Sequence, residues 1–168
     1  MTPEFSRRID LRALPAEPLR IEADAAERAA LAKRIGIEVV ERLTAEVTLV
    51  PAGGVVQVNG RIEAAVVQAC GISNEPFAVK VSEPLSLRFV QGITPHKPDE
   101  ELEIDADACD EIEFEGTQFD LGEQIAQTLS LAIDPYATGP NAERVRKEAG
   151  LGDVASSGPF AALAALRK

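Results

Sequence analysis

GGVVQVNGRIEAAVVQACGISNEPFAVKVSEPLSLRFVQ, residues Gly53–Gln91, holds two long runs of alternating residues joined at a short polar corner. In the first run Val56, Val58, Ile62, Ala64 and Val66 share one face, and Gln57, Asn59, Arg61 and Glu63 share the other. That period of two marks a half-buried strand. The same parity carried forward puts Cys70 on the apolar face. Beyond the corner, Phe77, Val79 and Val81 resume the pattern, and Leu85, Leu87 and Phe89 continue it past Glu83-Pro84, where a proline fits a bend, an edge or a bulge. Gly60, inside the first run, points to a bulge or a close backbone approach. A slip of one residue would turn every apolar side chain to solvent, so the register is strongly specified.

Upstream, Leu43, Ala45, Val47 and Leu49 alternate with Thr44, Glu46 and Thr48, and Pro51-Ala-Gly53-Gly54 turns the chain into the next strand, giving a hairpin. Leu19-Arg-Ile21 is a brief extended piece. Ala23 to Ile35 is Ala-rich, with Asp24 as N-cap, Glu27 three residues on and Gly36 as the stop; Ala25, Ala29, Ala32 and Leu31 or Ile35 are expected to face inward. Before it, Phe5, Ile9, Leu11 and Leu14 lie among Arg7, Arg8 and Arg12 and run into Pro15 and Pro18, the pattern of a short edge strand added to the sheet.

Downstream of the loop from Gly92 to Pro98, Leu102, Ile104, Ala106, Ile112 and Phe114 alternate with carboxylates, which predicts an edge strand whose outer side discourages pairing with another chain. Asp120 opens a second helix with Glu123 completing a capping box. Leu121, Ile125, Leu129 and Ile133 form its apolar stripe, and Asp134-Pro135 ends it.

These readings assemble into a single α+β domain over residues 1–136. The expected core is an antiparallel, strongly twisted sheet of five to seven strands, curling toward a barrel, with two or three packed helices and the Asp120 helix on its apolar face. Residues 137–158, rich in Gly, Pro and Ser, read as a flexible linker with a weak helix at Glu143 to Glu148. Residues 159–168 read as a short C-terminal helix. Roughly ten residues cannot hold a helix alone in water, so Phe160, Leu163 and Leu166 are expected to dock on a partner or on the chain's own domain.

The 168 residues suit one domain with a real core, and the absence of Trp makes that core aliphatic. Basic residues number 17 against 28 acidic ones, a formal charge of -11 that repels bare phosphate at long range and favours a basic partner. No apolar run reaches the ~20 residues of a membrane span, and the start lacks a signal pattern, so the expected location is cytoplasmic, with no membrane partner. Cys70 and Cys109, far apart in sequence, do not make a disulfide scaffold.

Four groups of residues are candidates for function. Cys70 with Ser73 has the spacing of a degenerate Cys-x-x-Cys, and only Cys109 and His96 could add ligands, so no metal site is assigned. A nucleophilic Cys70 would need His96 as base, whereas its core-facing parity favours a structural role, so no catalytic residue is assigned either. Arg61, Lys80 and Arg88, with Arg42, fall on the outward parity of the strands and are candidate RNA contacts, although Glu46 and Glu63 share that face. Glu103, Asp105, Asp107, Glu111 and Glu113 could hold a basic protein or a cation, or form a solvated edge. No phosphate-cradling Gly loop or nucleophile elbow is present, and no cofactor is implied.

Val66-Val-Gln-Ala-Cys70 through Pro76-Phe77, Phe119-Asp120-Leu121-Gly-Glu-Gln-Ile with Leu131-Ala-Ile-Asp134-Pro135, and Gly158-Pro159-Phe160-Ala-Ala-Leu163 together resemble the DUF177 family, the YceD-like proteins of large ribosomal RNA subunit accumulation. Many members carry Cys-x-x-Cys at the corner, where this chain has Ser73. The resemblance implies ribosome biogenesis: a non-catalytic factor for synthesis, processing or stability of large-subunit ribosomal RNA. Its implied partner is that RNA or a basic ribosomal protein, not DNA. The alternative is a metal- or cysteine-dependent RNA-processing enzyme built on the acidic row or on Cys70 and His96.

Overall fold

The computed structural model describes residues 3–92 and 111–150. Its spine is three long strands, β3 (Val39–Ala52), β4 (Val55–Ala69) and β5 (Pro76–Gln91), each antiparallel to the next. The short strand β2 (Leu19–Glu22) flanks β3, and β6 (Glu111–Phe114) flanks β5, giving the order β2-β3-β4-β5-β6. The parity read from the sequence holds throughout the spine. Leu43, Ala45, Val47, Leu49, Val56, Val58, Ile62, Ala64, Val66, Val81, Leu85 and Phe89 are all buried.

The fold class is α+β, as expected, with two corrections to the sheet. Among the described residues it is open rather than curled toward a barrel: β2 and β6 stand at opposite edges. It is also mixed, because β6 runs parallel to β5. Residues 93–110 intervene between those two strands, enough chain for the crossover that a parallel pair requires.

Gly60 is a close approach and not a bulge. It lies opposite Val47 in an unbroken stretch of register, where a Cβ would collide with the Glu46 carbonyl and come within 2.8 Å of the Val47 Cα. The one register shift between β3 and β4 falls at Val40/Arg42. Pro84 does not interrupt β5 and pairs with Arg61; β6 reaches only Arg88–Gln91, so the β5 edge beside Pro84 is unpaired among the described residues, where a missing N–H is tolerated.

The N-terminal strand, β1 (Arg8–Asp10), does not join this sheet. It pairs with β7 (Gln118–Asp120) as a separate ribbon. Helix α1 (Ala25–Ile35) has the expected ends: Asp24 and Glu27 form a full capping box, and Gly36 takes the left-handed conformation at φ 81°. Its buried residues are Leu31 and Ala32, whereas Ala25 and Ala29, expected inside, are exposed beside an open groove facing Val39.

Helix α2 (Leu121–Ala132) buries Leu121, Ile125 and Leu129 against β4 and β5. Asp120 caps it by accepting from the Glu123 N–H at 3.3 Å. The expected second half of that capping box is absent, because the Glu123 carboxylate instead accepts from Arg34 of α1 at 2.6 and 2.9 Å. Asp120 also accepts from the Ser6 hydroxyl (2.5 Å) and the Arg7 N–H (2.8 Å), so a single carboxylate starts α2 and ties down the N-terminal segment. That segment passes tightly over α2, where a Cβ on Gly122 would lie 2.6 Å from the Arg7 nitrogen. Phe89 of β5 stacks on Phe119 of β7 at 4.0 Å between centroids, with Phe114 of β6 packed against both, joining ribbon to sheet.

Residues 137–150, read above as part of a linker, carry α3 (Ala142–Glu148) and lie against the β4–β5 corner. Ala142 is buried, the Gly71 N–H donates to the Ala137 carbonyl, and Asn141 donates to Glu75. The strand expected from Leu102 to Ala106 and the C-terminal helix at 159–168 lie outside the described residues. Among the described residues no helix is long and apolar enough to cross a membrane.

Candidate functional site

The sheet has two faces, and among the described residues only one is covered. Its inner face carries the core under α1 and α2; its outer face mixes charged and polar side chains with exposed Val39 and Val50. The strand register fixes which outward side chains are neighbours. Arg20 on β2 lies opposite Glu46 on β3, and Glu46 opposite Arg61 on β4. Arg42 lies opposite Ala65, and Ala65 opposite Lys80 on β5. Gln57 lies opposite Arg88, and Arg88 opposite Glu111 on β6.

The three candidate RNA contacts, Arg61, Lys80 and Arg88, are therefore on one face. Lys80 and Arg88 are eight residues apart on β5, roughly 26 Å at the rise of an extended strand, with Arg61 beside the midpoint. Five cations, Arg20, Arg42, Arg61, Lys80 and Arg88, share that face with five carboxylates, Glu22, Glu46, Glu63, Glu111 and Glu113. Among the described residues this face is thus near neutral, in a chain of formal charge -11.

The cations differ in how far they are committed. Arg88 is held by Glu111 at 3.0 Å, and its Nε is buried without a hydrogen-bond partner among the described residues. Arg42 lies 3.6 Å from Glu63, with both side chains more than half exposed, a weak surface pair. Arg61 donates to the Ser82 hydroxyl at 2.9 Å. Arg20, Arg61 and Lys80 make no ion pair with a carboxylate among the described residues. Arg20 was missed in the sequence because its two-residue alternation with Leu19 and Ile21 shows that it points outward but not which strand lies beside it.

Of the acidic candidates, Glu111 and Glu113 are exposed on the β6 edge, and Glu111 is engaged with Arg88. Glu103, Asp105 and Asp107 lie outside the described residues, as do Phe160, Leu163 and Leu166 of the tail.

Cys70 is buried, as its parity predicts, but its surroundings are not those of an inert apolar side chain. Its Sγ accepts from the N–H groups of Ser73 (3.3 Å) and Ile72 (3.4 Å). The Ser73 hydroxyl first, then the N–H groups of Ser73, Gly139 and Ile72, hold the thiol down to about 6 against the opposing effect of burial. Ser73 thus stands beside the sulfur as a hydrogen-bond partner. His96 and Cys109 lie outside the described residues. Among the described residues no group of three or more His, Cys, Asp or Glu could hold a metal ion.

A family model described as "Large ribosomal RNA subunit accumulation protein YceD" matches residues 58–167. The match starts within β4 and includes the Cys70 corner, Arg61, Lys80 and Arg88. Arg20 and Arg42 precede it. No curated protein and no solved structure matches the chain.

Proposed function

The chain belongs to the YceD family, DUF177, of large ribosomal RNA subunit accumulation proteins, and we propose that it acts in the cytoplasm as a non-catalytic ribosome-biogenesis factor that contacts large-subunit ribosomal RNA. The contact is made by the outer sheet face through Arg61 and Lys80, with Arg88 at the end of the row. The observation that carries this reading is the register, which aligns these cations on one face where, among the described residues, cations and carboxylates balance. Gln57, Asn59, Ser82 and Ser86 lie between them as neutral donors and acceptors for sugar and phosphate oxygens.

The charge of -11 favours a second reading, in which Glu103, Asp105, Asp107, Glu111 and Glu113 shield a basic ribosomal protein until delivery. In either case we propose that residues 137–158 serve as a linker and that Phe160, Leu163 and Leu166 dock the tail on a partner or on the domain. Recovery of the tagged native protein at two salt concentrations, with and without RNase, tests the first reading. The expected result is large-subunit RNA that stays bound after ribosomal proteins are stripped and is lost at the higher salt. RNA that leaves together with one basic protein would overturn it in favour of the second.

A further inference from the structure

We propose that a cleft on the outer sheet face, walled by Arg20, Arg42 and Arg61, seats a single backbone phosphodiester of the RNA. This rests on the outer-face reading above and goes past it by naming the subsite, and by assigning two cations that precede the family match. The cleft spans β2, β3 and β4 and encloses about 150 Å³, lined by Arg20, Arg42, Thr44, Glu46, Arg61 and Glu63. That volume accommodates a phosphate group, while the outer face, open among the described residues, lets the strand run on over Asn59 and Gln57.

Three arginines meet here because β2 pairs with β3 at Leu19–Glu22. The pairing brings Arg20 to one side of Glu46 with Arg61 on the other. Glu46 nonetheless makes no ion pair with either among the described residues, and Arg61 leans away from it to donate to Ser82 at 2.9 Å. One Nη of Arg61 is used in that bond, leaving the rest of its donor fork for an oxyanion. Arg88 shows the contrasting case of a guanidinium already occupied by a carboxylate at 3.0 Å.

The charge of the cleft selects among phosphates. Three guanidiniums against Glu46 and Glu63 leave one net positive charge, which matches the single negative charge of a phosphodiester. A terminal phosphomonoester, carrying nearly two charges, would leave the cleft with about one net negative charge. The cleft therefore fits the interior of a polynucleotide strand better than a free nucleotide or a 5′-terminal phosphate.

Binding of a fluorescein-labelled single-stranded segment of large-subunit ribosomal RNA to the full chain, wild type and R20Q, R42Q, R61Q, R20Q/R61Q and K80Q, is the test. Thermal melts serve as the folding control. R20Q and R61Q are each expected to weaken binding about five- to tenfold, with the double variant losing less than the product of the two, because both act on one phosphate. The slope of log affinity against log salt is expected to fall by about 0.7 in the double variant. If R20Q and R42Q bind as wild type while K80Q weakens, the cleft is wrong and the outer-face reading stands. If wild type binds no RNA, the outer-face reading falls, and an NMR titration with dimethyl phosphate decides the cleft alone. Shifts of the Arg20 and Arg61 side-chain signals uphold it; no shift there overturns it.

Discussion

The Arg88 guanidinium lies 3.0 Å from the Glu111 carboxylate across the parallel pair β5–β6. A cation read from the sequence as an RNA contact and an anion read as a contact for a basic protein thus neutralise each other at the sheet edge. Glu111→Gln should release Arg88 and remove one negative charge from the face. The expected gain in affinity for a large-subunit RNA segment is about two- to fivefold by fluorescence anisotropy, the range of a surface ion pair. Arg88→Gln should cost less than Arg61→Gln. An E111Q variant that binds RNA no better would place this edge outside the interface.

Gly60→Ala should destabilise the fold by about 1–3 kcal/mol or more, since the Cβ meets backbone that cannot yield without opening the β3–β4 ladder. The neighbouring exposed Asn59→Ala should stay within about 0.5 kcal/mol of wild type. Chemical denaturation of both variants measures the difference; equal midpoints would contradict the close approach.

Asp120→Ala removes the α2 cap and both bonds to the Ser6–Arg7 segment. A loss of about 1–2 kcal/mol is expected from the cap alone. Faster hydrogen exchange should follow at the Arg7 N–H and at the Leu121 N–H, which donates to the Arg7 carbonyl. Asp120→Asn, which keeps an acceptor oxygen, should recover part of both effects. Exchange unchanged in the Ala variant would show that the N-terminal segment is held by other contacts.

Cys70 supplies a pH dependence. Its thiol is held down to about 6 in the fold against an ordinary value of 9.0. A group whose folded value is depressed contributes stability that is complete above the unfolded value and is lost as pH falls through the folded one. Stability should therefore rise from pH 6 toward pH 9, and Cys70→Ala should remove that rise. Ultraviolet thiolate absorbance in a Cys109→Ser background should titrate near 6; a midpoint near 9 would remove the thiolate from the corner.

The alternation along Val56–Val66 and Leu43–Leu49 made the three-strand spine and its buried face legible in the sequence, because a half-buried strand leaves a period that needs no partner to be read. Asp24, Glu27 and Gly36 marked α1 for the same local reason. What escaped the sequence depends on distant partners. Residues Arg8–Asp10 could join any edge, and they chose Gln118–Asp120 because Asp120 anchors Ser6 and Arg7 there. Glu123 fitted a capping box, but Arg34 of another helix offered a stronger bond. On the outer face, Arg61, Lys80 and Arg88 were legible by parity. Arg20 was not, and neither was the neutralisation of Arg88, since both follow from pairing with β2 and β6.

Ultraviolet cross-linking of the native protein to RNA in cells, with mass spectrometry of the linked peptides, tests contact by the outer sheet face most directly. The result expected is large-subunit RNA nucleotides joined to the β4 and β5 peptides that carry Arg61 and Lys80. Cross-links confined to the acidic stretch or to residues 151–168, with β4 and β5 unmodified, would contradict it.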